Sequence, residues 1–438
     1  MREKSSVKKR LSKFFANLAP LRENGYLLNI LLLSRYFPPE IGTAANLFYE
    51  LAKGLADRGH SVNVVTGFPW YNLKSIPDKY RGRLFMKEDM SGVRVTRLAF
   101  PVFGPQKIKL AVGHLTAPLT SFLGGLLSEK PDVVFIYSPP LFMGISGWLL
   151  NLFKGVPFIM GVQDLHPQCY IDQGLLKNRL LIYLLEALEK FCYRRSSLIT
   201  VHSGGNRRHI VDIKGIDEEK VKVLSNWIDT DEMRPLPRDN EFSEKYNLNG
   251  KFIVGYAGTL GMSQGLLSVI EAARILRDRN GIEFFIVGNG IEKENLESRV
   301  KEYDLKNVRF LGMQPKSVYP YVVASSDVGL VTLNSRVRTP VIPSKILSLM
   351  AAARPVLASM PLDGDAPKLI RKSVCGICIG PEDPELLAEK ILFLADNPDI
   401  CADFSRQGRG FVVREMSLRK AVAELEEYIK STIGKGQS

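Results

Sequence analysis

The chain alternates short, uncharged apolar runs with helical patterns, and it does so twice. Asn29–Ser34 (NILLLS), Ser61–Thr66 (SVNVVT), Val93–Leu98, Val133–Tyr137, Phe158–Val162, Leu198–Val201 and Val221–Leu224 form a first series. Phe252–Tyr256 (FIVGY), Phe284–Val287, Val308–Leu311, Val328–Val331, Val356–Ala358 and a run near Cys378 form a second. Strands this short and this apolar need cover on both faces, which predicts parallel sheets flanked by helices. Between Asn29 and Thr66 lie a strand, a Pro-Pro loop, a helical pattern through Leu47, Leu51 and Leu55, and a second strand, which make a βαβ unit. The two series meet at 226–250, a polar stretch bearing Pro235 and Pro237, read as a linker with one short helix. A length of 438 residues also exceeds one ordinary core and fits two domains of roughly 200 residues.

The charge is unevenly placed. Residues 1–225 hold 31 Lys and Arg against 18 Asp and Glu, while residues 226–438 hold 28 of each, so the whole net charge of +13 belongs to the first half. That half is expected to face something anionic: a phospholipid surface, a lipid phosphate or nucleic acid. No known nucleic-acid module is visible and the basic residues are scattered, so nucleic acid is set aside. Five cysteines, sparse and odd in number, argue for a reducing compartment. Cys375 and Cys378 form a C-x-x-C without a second ligand pair and are read as buried strand and turn. No run is long and apolar enough to span a bilayer, and the N-terminus has no secretory pattern. Leu11, Phe14, Phe15 and Leu18 beside Lys8, Lys9, Arg10 and Lys13 fit a short basic amphipathic helix at a membrane interface, or a frayed tail.

Several loops carry candidate chemistry. Gly42, Thr43 and Ala44 follow the first strand and precede a helix, where backbone N–H groups attract phosphate. Tyr256-Ala257-Gly258-Thr259-Leu260-Gly261 opens the second series in the same way, and Val287-Gly288-Asn289-Gly290 ends its next strand. Lys345, in Pro343-Ser344-Lys345, sits at a helix start, where the dipole prefers anions; a bound phosphate would reconcile the two, and a surface lysine is the plainer reading. Asp164 and His166 follow a strand and offer a carboxylate and an imidazole, for acid–base work or as a cap and a solvated ring. Asp363-Gly364-Asp365 is read as a turn. No dinucleotide or P-loop glycine signature is present.

In order and spacing, the stretches RYFPPEIGTAANLFYELAKGLADRGHSVNVVTGFPWY, PDVVFIYSPPLF, VPFIMGVQDLHPQ, NWIDTD, GYAGTLGMSQGL, IVGNG, NVRFLG and PSKILSLMAAARPVLAS resemble glycosyltransferase family 4, and within it the bacterial exopolysaccharide and O-antigen subgroup. The resemblance runs from Asn29 to Thr432. It implies the GT-B fold, two Rossmann-like doubly wound α/β domains facing a cleft. Divided accordingly, the chain has a basic tail (1–26), an acceptor-binding domain (27–225), the linker (226–250), a nucleotide-sugar-binding domain (251–414) and a C-terminal helix packing back toward the first domain (415–438). The family implies retaining transfer without a metal or other cofactor. A nucleotide sugar, a UDP-sugar by preference, would donate to a lipid-phosphate-linked acceptor at an anionic membrane surface. The enzyme would be cytoplasmic and peripheral, at the inner face of the membrane, in cell-surface polysaccharide synthesis.

Carried over residue by residue, the resemblance sets Gly42, Gly258, Thr259, Gln264 and Lys345 around the donor phosphates. Gly288, Gly290, Met313 and Ser348 fall near the nucleotide, and Asp164 and Lys345 become the catalytic pair. The departures are specific. The wider family's Glu-x7-Glu positions fall on Pro340 and Ser348, so the glutamate that holds the donor ribose is a serine and a charge-assisted acceptor is lost. Gln264 stands where lysine is usual, Gln163 where His is frequent, and Lys368 where relatives carry an acid. Ser348 motivates a second reading, a degenerate transferase serving as a nucleotide-sugar-binding or scaffold subunit.

Overall fold

The computed structural model describes residues 27–40, 42–70, 73, 75–99 and 106–435. The Leu11–Leu18 segment lies outside them. The first domain is an eight-stranded sheet in the order β3-β4-β2-β1-β5-β6-β7-β8. Its strands are β1 (Asn29–Leu33), β2 (Ser61–Gly67), β3 (Phe85–Met90), β4 (Val93–Leu98), β5 (Val133–Ser138), β6 (Phe158–Val162), β7 (Leu198–Val201) and β8 (Val221–Val223). Its helices are α1 (Thr43–Asp57), α2 (Gln106–Leu127), α3 (Met143–Lys154), α4 (Gln168–Asp172), α5 (Arg179–Arg195) and α6 (Gly204–Arg208).

The second sheet has the order β11-β10-β9-β12-β13-β14. It comprises β9 (Phe252–Ala257), β10 (Ile282–Val287), β11 (Val308–Leu311), β12 (Val328–Thr332), β13 (Val356–Ser359) and β14 (Gly376–Ile379). Around it run α7 (Glu241–Lys245), α8 (Leu267–Ile275), α9 (Lys293–Glu302), α10 (Tyr319–Ala324), α11 (Ser344–Ala351), α12 (Asp365–Ser373), α13 (Pro384–Asp396), α14 (Pro398–Glu415) and α15 (Leu418–Lys435).

Strands β5, β6 and β7 are buried at every position because helices cover both faces. Leu32 of β1 pairs with Val64 of β2 and Phe135 of β5, both parallel. One strand departs from the parallel expectation: β3 runs antiparallel to β4 at the sheet edge. Its sequence, FMKEDM, alternates exposed with half-buried positions and carries charges, so no apolar run announces it. Strand order reverses between β1 and β5, and again between β9 and β12. Each reversal opens a crevice at the carboxyl ends of the strands, where open α/β sheets hold ligands.

The two faces of the first sheet are covered differently. Helix α1 shares its core with Ala421, Val422, Leu425 and Ile429 of α15, so the last helix belongs to the first domain's packing. Gly54 of α1 lies directly under Val422, and Arg58 pairs with Glu426. Helices α2 and α3 cover the opposite face, where Ala117, Met143 and Leu150 meet Leu31, Leu33 and Val134. Arg409 of α14 fastens the 226–250 stretch by donating to Met233 O and Thr230 O at 3.1 Å each. Trp227, Met233 and Phe242 within it are buried, so the polar linker is packed rather than solvated. Leu425 is fully buried in this shared core. Leu425→Ala is expected to lower unfolding free energy by about 2–5 kcal/mol, read as a drop in the urea midpoint.

Candidate active site

Three loops meet at the carboxyl edge of the second sheet. Gly258, just past β9, has φ 153°, and Gly288, just past β10, has the same φ. A Cβ on Gly288 would run into Gly258 O, and one on Gly290 into Leu260 O. The loops are tied by Gly258 N donating to Val287 O and Leu260 N donating to Asn289 O, both at 2.9 Å. Gly288 and Gly290 therefore serve first as spacers that let two backbones touch. The Gly258 amide thus has a partner within the protein.

Gln264 also has an internal partner. Its Oε1 accepts from Gly261 N at 3.1 Å and closes a short 3-10 turn over Met262–Gln264. Helix α8 starts only after Gly265, in left-handed conformation at φ 58°, so the glycine loop does not lead straight into a helix.

Lys345 is the second residue of α11. Its Nζ lies 4.9 Å from the centroid of the buried Tyr256 ring, and a Cβ on Gly258 would fall 2.8 Å from that Nζ. Tyr256 in turn donates its hydroxyl to Thr259 O at 2.7 Å. A lysine held at a helix start, beneath a glycine loop and over an aromatic face, is not a free surface lysine. Burial pulls its ammonium down to about 8. An anion arriving there would restore the charge. Ser348, one turn along α11, is buried; its hydroxyl donates to Ser344 O at 3.3 Å and hydrogen-bonds the Tyr319 hydroxyl. Met313 follows β11 and is 65% exposed.

Across from this edge, Asp164 lies past β6. It opens into a cavity of about 320 Å³ lined by Tyr36, His114, Asp164 and His166 of the first domain and Thr339 and Pro340 of the second. Its side chain is exposed at that cavity; desolvation by the neighbouring protein raises the pKa of the carboxyl, and His202 opposes that rise. Asp164 does not cap α4, whose N-cap is Pro167 with no side-chain bond. His166 is no solvated ring: burial holds it down to about 4, and it meets Tyr170 edge-on at 4.7 Å. His114, bonded to the Tyr36 hydroxyl at 3.2 Å, is held down to about 4 by burial and by Arg35. Gly42, the N-cap of α1, has extended backbone and open space around its missing side chain. No ion pair joins Asp164 to Lys345, and the two line different cavities.

Two residues escape the motif reading. His202 follows β7 in His202-Ser203-Gly204-Gly205, a strand followed by small residues, which was the available signal. It is buried, takes a bond from Asn206 Nδ2 at 3.0 Å, and its pKa is lowered by burial against the pull of Asp164 and Asp365. Asp365 is not a turn residue. It opens α12, is buried, and accepts from Gly205 N of the other domain at 2.7 Å, with Arg208 at 3.7 Å and Lys368 at 3.7 Å. Thr339 adds a second cross-domain bond, to Asp172 at 3.0 Å. Residues Thr339 and Pro340 thus pack on the first domain, where the resemblance set the first glutamate of a donor motif.

The model of the Glycosyl transferase 4-like domain matches residues 42–227, and that of Glycosyl transferases group 1 matches residues 238–411. The chain is a glycosyltransferase of family 4. Among relatives of this transferase, a putative colanic acid biosynthesis glycosyl transferase, WcaI of Escherichia coli, is 25% identical over 377 residues, 83% of this chain and 91% of that protein. A probable glycosyltransferase, WbjE of Pseudomonas aeruginosa, is 27% identical over 60% of this chain and 66% of its own. Among solved structures, Anabaena HepE in complex with UDP superposes with a TM-score of 0.70 at 17% identity, covering 92% of this chain and 100% of that one. WaaG, described as involved in lipopolysaccharide biosynthesis, gives 0.65 at 16% identity over 91% and 99%. These likenesses establish the GT-B architecture of two parallel-sheet domains.

The buried ammonium of this transferase has a consequence that needs no ligand. Unfolding returns Lys345 from about 8 to the ordinary lysine value of 10.5. Between those pH values the unfolded chain holds a proton that the folded chain has shed, so stability rises with pH there. Measured against Lys345→Met by urea titration, the wild type is expected to gain stability from about pH 8 toward pH 10.5 and to show no relative change below pH 7.

Proposed function

We propose that this glycosyltransferase moves a hexosyl or N-acetylhexosaminyl group from a UDP-sugar to a lipid-phosphate-linked acceptor, with retention, in cell-surface polysaccharide synthesis. The observation that carries the reading is Lys345: one ammonium, desolvated at the start of α11 beside Gly258, at the switch point of the second sheet. As the bond between the anomeric carbon and the diphosphate oxygen breaks, negative charge grows on the departing nucleotide. A preorganised cation aimed there stabilises the transition state more than the ground state. Because that charge is met by a lysine, the reaction needs no divalent metal in this proposal. Asp164, in the cavity that both domains line, would orient the acceptor or the sugar. Gly42, with open space at the α1 start, would leave room for the reacting group.

The names of relatives support the rest. One is named for colanic acid biosynthesis, one solved structure for lipopolysaccharide biosynthesis, and others hold UDP or UDP-glucose. No helix among the described residues is long and apolar enough to cross a membrane. The proposed placement is peripheral, on the cytoplasmic face of an anionic membrane.

A second reading rests on Ser348, whose hydroxyl already bonds Ser344 and Tyr319 and leaves no carboxylate for a ribose. In it the protein binds nucleotide sugars without turning them over. Calorimetry with UDP and GDP, followed by transfer of labelled sugar to a lipid-phosphate-linked acceptor in the presence of a chelator, separates the readings. UDP binding and chelator-resistant transfer are expected, with Lys345→Ala lowering kcat by roughly 10²–10³-fold. Binding without transfer would favour the second reading, and undiminished turnover in Lys345→Ala would remove that residue from the mechanism.

A further inference from the structure

Helix α5 is built inside out. Its inward side buries Glu189, at 0% exposure, in an ion pair with Lys214 at 2.9 Å. Its outward side exposes Leu180 at 68%, Tyr183 at 68% and Leu184 at 54%. Exposed leucines on a helix that hides a glutamate are not explained by the chain's own packing. The same outward stripe continues, at helical spacing, into Lys190, Arg194 and Arg195. Those three, with Tyr183, Glu186 and Phe191, line a surface groove of about 680 Å³. Glu186 is already paired with Lys214 at 3.1 Å, and among the described residues none of the three cations has an ion-pair partner. The helix therefore shows an apolar first half and an unneutralised cationic second half on one face.

We propose that this outward face of α5 docks on an anionic phospholipid bilayer, the leucines entering the interface and the three cations meeting headgroup phosphates. Apolar anchors beside basic side chains are the composition that binds an anionic interface without spanning it. A second copy of the chain fits the face poorly. Antiparallel pairing of α5 with its twin would set Leu180 and Leu184 against Arg194 and Arg195, leaving the cations without anions. The placement also suits the active site. Leu175, 71% exposed, follows closely on Tyr170 and Gln173, which line the Asp164 cavity, and Leu175 N bonds Tyr170 O at 2.9 Å. A bilayer touching this end of the helix would present a lipid-borne headgroup at the cavity mouth. The inference deepens the proposed function by naming the surface through which the acceptor arrives, and it rests on that reading for the acceptor only.

The test uses the full chain and vesicles of phosphatidylcholine, alone or with about one-third phosphatidylglycerol. Wild-type protein is expected to float with the anionic vesicles at low salt, to be released by high salt, and to ignore phosphatidylcholine. Arg194→Glu/Arg195→Glu and Leu180→Ser/Leu184→Ser, both at exposed positions and checked for folding by circular dichroism, should each lower the bound fraction by about tenfold or more. Failure of the wild type to float overturns the proposal. So does wild-type flotation of both variants, which would give the contact to another part of the chain, the basic first 26 residues included. A dimer by light scattering that either variant dissolves would assign the face to a second copy instead. Calorimetry with UDP on the wild type keeps the readings apart: a wild type that binds UDP but does not float sinks the docking face alone, and one that floats without binding UDP sinks the proposed function alone.

Discussion

The second domain's site depends on two backbones touching. Gly288 comes so close to the Gly258 carbonyl that it tolerates no Cβ, and a Cβ on Gly258 would meet the Lys345 side chain, so the loop and the lysine lie against each other. With the loop in place, Tyr256 has a carbonyl to hold and a face to offer, and the Lys345 ammonium lies over that face. An uncompensated cation at a helix start is costly in isolation. The glycines shape the pocket in which the lysine is desolvated.

The first domain contributes a different kind of chemistry, one carboxyl group among imidazoles. Desolvation raises the pKa of Asp164 and lowers those of His114, His166 and His202. The contacts between domains run beside it. Asp365 reaches the Gly205 amide, Thr339 reaches Asp172, and α15 lies in the first domain's core. The residues around Asp164 and the contacts between the domains are thus neighbours, and the charge of Asp365 raises the pKa of His202 against its burial.

The strand series was legible because parallel strands buried on both faces leave uninterrupted apolar runs. β6, β7 and β11 lie where those runs placed them, to the residue. β3 was not legible, because an edge strand facing solvent needs no apolar run. Lys345, Gly258 and Asp164 were visible as residues at strand ends and helix starts. Their surroundings were not. That Gln264 would close its own turn, that Ser348 would be held by Ser344 and Tyr319, and that Asp365 would cross to the other domain all depend on groups far away in the chain.

By itself the sequence determined the two doubly wound α/β halves, the basic first half and the positions of the loops, because periodicity and charge are local properties. Tertiary structure alone decided which of those loop residues share a cavity, which glycines meet another backbone, and which leucines of α5 remain outside. Those outcomes follow from distance and desolvation, and both are set only when segments hundreds of residues apart are brought together.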